Sequence, residues 1–365
     1  MFEGVLASLV GAVAVCVLVL VIRFETTVRE FRYRETTTSA DLPTVSVCIP
    51  ARNEVHAMTE CLERVLASDY PKLEIIVLDD SSVDDTSILI KSFAHAGVRF
   101  VEGRPLPEGW LGRNNALQGL LEEASGEFIL YLDVDTKLRP SSISRLVAWT
   151  LGHQLPLVSV VPQREDGLRA SVFLGTLRYF WVLFLKNTLS GACWLVHREK
   201  LAAAGGFVPF KSSTQPEEAL ARALDVSSHP LLMGSSKLGI SYEKKWTSQV
   251  ETSTRLLRPL FGSGLTSLSV AILLCGLVAL PLLGLVIGAT AQAPILLILS
   301  ILATFLITAL SLRYYKLVWR YGWWLGAIHW PYVLLQEAVL IIRSVYLYKR
   351  GRVTWKGRPI KVPIR

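Results

Sequence analysis

A chain of 365 residues with 51% hydrophobic and 19% charged side chains is too apolar for a purely water-soluble protein, in which about a quarter of residues are charged. It is also too rich in core-forming residues for intrinsic disorder. The net charge of +8 does not interleave with aromatics as on a nucleic-acid surface, so nucleic acid is not expected as a partner. The cysteines at 16, 48, 61, 193 and 275 form no CxxC pair, which argues against a zinc site and a disulfide framework.

Residues 1–23 predict a transmembrane anchor. Gly4–Ile22 is uncharged over a length that spans about 30 Å of hydrocarbon. Glu3 precedes it, and Arg23, Arg29, Arg32 and Arg34 follow. A cleaved signal peptide has the opposite charge order, and the arginines place the following chain in the cytoplasm.

Residues 44–247 predict an α/β domain with a mostly parallel sheet and flanking helices. Strands are expected at Val45–Ile49, Leu73–Leu78, Val98–Val101 and Phe128–Leu132, and helices at Ala57–Ala67, Asp85–Ala94 and Arg113–Ala124. Such alternation puts function at the carboxyl ends of the strands. Leu168–Leu189, with Arg169, Arg178 and Lys186, has the composition of a helix in the headgroup region. Residues 248–263 predict a second interfacial helix. Residues 264–312 predict two transmembrane helices, Leu265–Ala289 and Pro294–Leu312. Residues 322–342 contain His329, Pro331, Gln336 and Glu337, which are expensive in lipid; a re-entrant or interfacial segment is expected. Residues 343–365 form a basic cytoplasmic tail with Lys349, Arg350, Arg352, Lys356, Arg358, Lys361 and Arg365.

Polar clusters fall at three strand ends. Asp133 and Asp135 close Phe128-Ile-Leu-Tyr-Leu-Asp-Val-Asp. Residues i and i+2 of an extended chain share a face, so the carboxylates converge. A hard divalent cation, Mg²⁺ or Mn²⁺, relieves their repulsion; a solvated turn is the alternative. Asp79 and Asp80 begin a turn-rich run in which Asp84 or Asp85 is a natural helix cap. Pro50-Ala51-Arg52-Asn53-Glu54 closes the first strand, with Asn53 as the candidate cap. The six histidines have no ligand spacing and read as structural or surface residues, and no P-loop or Ser-His-Asp arrangement is present.

With these clusters, the chain resembles the family 2 glycosyltransferases, inverting enzymes of the GT-A nucleotide-diphospho-sugar fold. The matching segments are Val-Ser-Val-Cys-Ile-Pro-Ala-Arg-Asn-Glu, Ile-Val-Leu-Asp-Asp-Ser-Ser-Val-Asp-Asp-Thr, Gly-Glu-Phe-Ile-Leu-Tyr-Leu-Asp-Val-Asp-Thr and Gly-Gly-Phe at 205–207. Pro105-Leu-Pro-Glu-Gly-Trp-Leu-Gly-Arg-Asn-Asn-Ala and Val353-Thr-Trp-Lys-Gly-Arg are similar to the membrane-bound branch that glycosylates carotenoid, hopanoid or ceramide-type lipids. The resemblance implies transfer of one sugar to a lipid hydroxyl at the cell inner membrane, with the domain cytoplasmic. It implies nucleotide-sugar binding by Pro50, Arg52, Glu54, Asp79, Asp80, Arg113 and Asp133, and Mg²⁺ or Mn²⁺ on Asp135 and Asp133. Arg255, Trp355, Lys356 and Arg358 would face the acceptor or the diphosphate.

Two departures stand out. Where the family has Glu-Asp before an apolar helix, this chain has Glu217-Glu218, and Glu218 takes the position of the general base. The family's Gln-x-x-Arg-Trp is reduced to Thr252-Ser-Thr-Arg255-Leu, which argues against polymer synthesis. Transfer to a polyprenyl phosphate and a non-catalytic membrane scaffold are the alternatives.

Overall fold

The computed structural model describes residues 2–36, 41–165, 177–185, 188–226 and 230–360. Helix α1 (Phe2–Glu30) continues beyond the expected anchor by about two turns. Then β1 (Val45–Ala51), α2 (Val55–Leu66), β2 (Leu73–Asp79), α3 (Thr86–Ser92), β3 (Val98–Glu102), α4 (Gly112–Glu123) and β4 (Phe128–Leu132) alternate, within a few residues of each expected element. The domain continues through β5 (Thr136–Leu138), α5 (Ser142–Gly152), β6 (Leu157–Val161), β7 (Gln163–Arg164), α6 (Arg178–Phe184), β8 (Cys193–His197), α7 (Arg198–Ala203), α8 (Pro216–Ala223), β9 (Leu231–Met233) and β10 (Ile240–Tyr242). Helices α9 (Trp246–Leu260), α10 (Gly264–Thr290), α11 (Pro294–Val318), α12 (Trp323–Ile328) and α13 (Trp330–Lys349) lead to a small hairpin, β11 (Thr354–Trp355) and β12 (Arg358–Pro359).

The main sheet has the order β3-β2-β1-β4-β8-β6-β9. Within it only β8 runs against its neighbours, so the expected mostly parallel sheet is present. Strand alternation builds two layers. Val45, Val47 and Ile49 pack with α2 and α5, whereas Cys48, Ile129 and Tyr131 pack with α4. The second layer runs on into Phe24 of α1 and Tyr314 and Trp319 at the end of α11. Sheet and apolar helices therefore share one core.

Helices α1, α10 and α11 are long and apolar enough to cross a membrane. Arg313 ties α11 to α1 by donating to both carboxylate oxygens of Glu25, at 2.7 and 2.8 Å. The polar segment 322–342 breaks at His329 into α12 and α13, with Pro331 in the first turn of α13, where its missing N–H costs nothing. Helix α13 lies along α10 and α9. Its Glu337 is buried and accepts a hydrogen bond from Trp181 Nε1 at 2.9 Å, which removes the carboxylate from lipid. Half of the helix expected over 168–189 lies outside the described residues. Its described part, α6, stacks Phe184 on Phe24 with ring centroids 6.0 Å apart.

Candidate active site

Strands β1, β2 and β4 are adjacent and parallel, so the segments after them meet at one edge. A pocket opens there, roofed by α9 and the terminal hairpin. Of the residues expected from sequence, Pro50, Arg52, Glu54, Arg113, Asp133, Asp135, Arg255, Trp355 and Lys356 line it. Asp79, Asp80 and Arg358 support its walls, and Glu218 faces away.

The loops after β1 and β2 are stitched together. Asn53 adopts a left-handed φ of 52°, which asparagine tolerates better than most residues. Its backbone N–H donates to Ser82 Oγ, and its Oδ1 accepts from Val83 N, both at 2.9 Å. Asp79 accepts from the Ser82 and Ser87 hydroxyls, a turn-building role. Asp80 accepts from Arg358 Nη1 at 2.6 Å. Burial raises the Asp80 pKa, and Arg358 opposes that rise. Arg52 donates to the carbonyls of Ser81 and Lys356 at 2.7 and 3.2 Å. The hairpin is thereby fastened to both loops. Gly112, at the start of α4, makes room for this: a Cβ there would lie 3.0 Å from both Arg358 Nη1 and Asp80 Oδ2.

The two aspartates after β4 take different partners. The strand ends at Leu132, and Thr136 N closes a turn onto Asp133 O at 2.9 Å. The extended i, i+2 geometry is lost, and with it the expected convergence. Asp133 pairs with Arg113 at 3.3 Å, and Asp135 with Lys244 at 3.1 Å. Asp135 instead gathers with Glu54 and His56, whose ligand atoms all lie within 4.8 Å of one another. Glu54 Oε1 pairs with Lys356 at 2.7 Å, whereas its buried Oε2 has no hydrogen-bond donor among the described residues. Burial raises the Glu54 pKa against the pull of Lys356. Two carboxylates and an imidazole around an unsatisfied oxygen fit a divalent cation, and the nitrogen ligand suits Mn²⁺ better than Mg²⁺. His56 carried no motif in the sequence; its place next to Glu54 at the mouth of α2 was the available signal.

Deeper in the pocket, Arg113 is buried. It donates to Gly191 O at 2.6 Å and pairs with Glu217 at 3.4 Å as well as with Asp133. Glu217 lines the pocket and is 4% exposed. Burial pushes its pKa up, and Arg113 holds it down. A Cβ on Gly191 would stand 2.6 Å from Glu217 Oε1, so a larger residue there would displace this carboxylate. Glu218 accepts instead from Leu189 N, at 3.1 Å, and from Gln215 Nε2. Successive helical residues point about 100° apart, and α8 spends that rotation turning Glu218 behind the pocket wall. Of the two acids at the expected base position, Glu217 is thus the one that lines the pocket.

Burial, and then the neighbouring Glu217, pushes the Glu218 pKa up to about 8. The folded protein therefore holds a proton that the unfolded chain releases near pH 4.5, and stability must fall as pH rises between these values. Thermal melting from pH 5 to pH 9 is expected to show this loss, on the order of a few kcal/mol, and Glu218→Gln is expected to flatten it. An unchanged slope in the variant would place the titration elsewhere.

Arg255 of α9 completes the roof. Its guanidinium lies 5.7 Å from the Trp355 ring centroid, and its buried Nε has no acceptor among the described residues. Burial pushes its pKa down to about 10. A buried cation short of acceptors beside a pocket suits an anionic ligand.

Residues 46–203 match the model of the Glycosyl transferase family 2, and this stretch is a domain of that family. A Campylobacter jejuni GalNAc(5)-diNAcBac-PP-undecaprenol beta-1,3-glucosyltransferase is 30% identical over 108 residues, 29% of this chain and 34% of that protein. An undecaprenyl-phosphate 4-deoxy-4-formamido-L-arabinose transferase from Pectobacterium carotovorum is 29% identical over 131 residues, 35% of this chain and 40% of that protein. The chain spans less than half the length of these relatives. Among solved structures, the mannosyltransferase PcManGT from Pyrobaculum calidifontis, in complex with GDP-Man and Mn²⁺, superposes with a TM-score of 0.53 at 16% identity. That match covers 93% of this chain and 98% of the other. It establishes the shared fold.

Proposed function

We propose that this chain is a membrane-bound glycosyltransferase that moves one sugar from a nucleotide-diphospho-sugar to a lipid hydroxyl with inversion. The observation that carries this reading is the pocket itself. It faces buried Arg113, Arg255 and Glu217 on one side and Asp135 and Glu54 on the other, with His56 beside these two carboxylates, beneath a roof continuous with the apolar helices. Asp80 and the loop from Pro50 to Glu54 would hold the nucleoside, and Arg113 and Arg255 the diphosphate. Asp135, Glu54 and His56 would hold Mn²⁺ or Mg²⁺, which supplies charge neutralisation at the donor diphosphate. Glu217, in place of Glu218, takes the proton of the acceptor hydroxyl. The acceptor oxygen attacks the anomeric carbon, and the bond to the diphosphate breaks with its electron pair on the nucleotide. Arg113 stabilises the charge that develops there.

Purified full-length protein should transfer radiolabelled sugar from at least one of a panel of nucleotide sugars into the lipid phase of a membrane extract. A cooperatively melting protein that neither binds nor turns over any donor would instead be a scaffold. Transfer to a polyprenyl phosphate is the second reading, favoured by the polyprenyl acceptor named for the Pectobacterium relative. Such an acceptor is already ionised and needs no base, so its turnover would survive Glu217→Gln.

The reading includes the cell membrane as the site, with the pocket cytoplasmic, because Arg23, Arg29, Arg32 and Arg34 follow the first apolar run. A cysteine replacing exposed Glu108 in a cysteine-free background should escape an impermeant thiol reagent on intact cells. Ready labelling would reverse the orientation.

A further inference from the structure

We infer that a second groove, next to the catalytic pocket, binds the phosphate headgroup of an anionic membrane phospholipid. The groove lies between the start of α9, the outer part of α13 and the terminal hairpin, and encloses about 730 Å³. Three features point to its occupant.

The first is charge. Lys245, Arg343 and Arg352 line the groove, and none of them has a carboxylate partner among the described residues. The single acid in the lining, Glu251, is engaged by the backbone amide of Lys356 at 2.7 Å. Three unneutralised cations around one concave space repel each other, and a phosphate relieves that repulsion while accepting several charge-assisted hydrogen bonds.

The second is the floor. Val339, Leu340 and Leu347 of α13 form its base, and Gln336 Oε1 is buried there without a donor among the described residues. A free inorganic anion would leave this apolar floor wet, whereas a glycerol backbone and the first acyl carbons would cover it.

The third is position. Val339 is 62% exposed, and Ile342 and Tyr346 are exposed beside it. This apolar and aromatic face continues onto the helices that are apolar enough to span a membrane, since α13 lies along α10. Aromatic and basic residues on such a face belong at headgroup depth. Cations above and hydrocarbon below match a phospholipid, whose charge and chains are joined in the same order.

The groove adjoins the proposed chemistry: His56 of the proposed metal site lines its rim. Ser248, Glu251 and Lys356 line both cavities, so a headgroup in the groove would hold the hairpin that roofs the donor site.

The test is binding, which requires no turnover. Full-length protein in neutral detergent is offered phosphatidylglycerol and phosphatidylcholine of equal chain length, and retained lipid is counted by native mass spectrometry. Phosphatidylglycerol should be retained in preference, with the preference falling about fivefold for each of Lys245→Gln, Arg343→Gln and Arg352→Gln. Removing Arg23 and Arg29 on α1 as a control should not change it. Monodisperse elution and an unchanged melting temperature guard against misfolding, which exposed positions make a small risk. Equal retention of the two lipids, equal loss in the α1 control, or complete competition by inorganic phosphate would each overturn the assignment.

Discussion

Glu217→Gln is expected to lower sugar transfer to a hydroxyl acceptor by about 10²- to 10⁴-fold, the usual contribution of a positioned general base. Affinity for the nucleotide-sugar should change only a few-fold, because proton transfer belongs to the transition state and not to donor binding. Glu218→Gln should retain most activity. The basis is the direction of the two side chains: Glu217 lines the pocket beside Arg113 and Asp133, whereas Glu218 is held behind it by Leu189 N and Gln215. The amide oxygen introduced by Glu217→Gln could still accept a hydrogen bond from Arg113, so the substitution tests basicity and leaves packing largely intact. Steady-state kinetics on both variants, with donor binding measured separately by calorimetry, decide the matter. A dead Glu218→Gln with an active Glu217→Gln would return the base to Glu218. Two active variants would support an acceptor that arrives already ionised.

The sheet was legible because its signals are local. Short apolar runs such as Val45–Ile49 and Phe128–Leu132 alternate with helical periods, and a parallel sheet buried on both faces demands that pattern. The three long apolar helices were legible for the same reason: hydrocarbon thickness sets their length, and each carries its own signal. Strand ends were likewise readable: Asp80, Asp133 and Asp135 follow the parallel strands on either side of β1 and come to one edge of the sheet, where Arg113 of α4 meets them.

What sequence did not reveal is pairing over distance and the facing of single residues. Nothing near Asp135 announces Lys244, which lies more than a hundred positions away on the strand-to-helix connection after β10. His56 has no partner at metal-ligand spacing in the chain; folding supplies Glu54 and Asp135 instead. The choice between Glu217 and Glu218 turned on where α8 begins. Pro216 is its first residue, and a shift of one position would rotate each carboxylate by about 100°. Spacing to an apolar helix cannot resolve that rotation. The hairpin at 354–359 was legible in part. Resemblance put Lys356 and Arg358 on the acceptor or diphosphate side, but not their partners: they reach back to Glu54 and Asp80, because those acids are buried and would otherwise lack counter-charges.

Asp135→Asn is expected to reduce turnover by about 10²- to 10³-fold, the scale on which one preorganised electrostatic group at a developing charge acts. It should also weaken Mn²⁺ binding, read directly from the paramagnetic resonance of the free ion in titrations with and without a nucleoside diphosphate. Two roles for the carboxylate make different forecasts here. If Asp135 holds the cation with Glu54 and His56, then His56→Ala should weaken Mn²⁺ binding as well, and an excess of chelator should silence the native protein. If Asp135 serves only to place the Lys244 ammonium, 3.1 Å away, then Lys244→Met should mimic Asp135→Asn, and chelator should have no effect. The geometry favours the first role. An ammonium already paired with a carboxylate carries little net charge toward a diphosphate. Asp135, Glu54 and His56, whose ligand atoms lie within 4.8 Å of one another, by contrast offer a divalent ion three ligands at once. Entry of a divalent ion would compete with Lys244 for Asp135 and with Lys356 for Glu54, and the displaced ammonium groups would then be available to the donor diphosphate. Metal and donor should on this account bind cooperatively, each tightening the other by the same factor. Independent binding of Mn²⁺ and the nucleoside diphosphate in the native protein would remove the metal from this site.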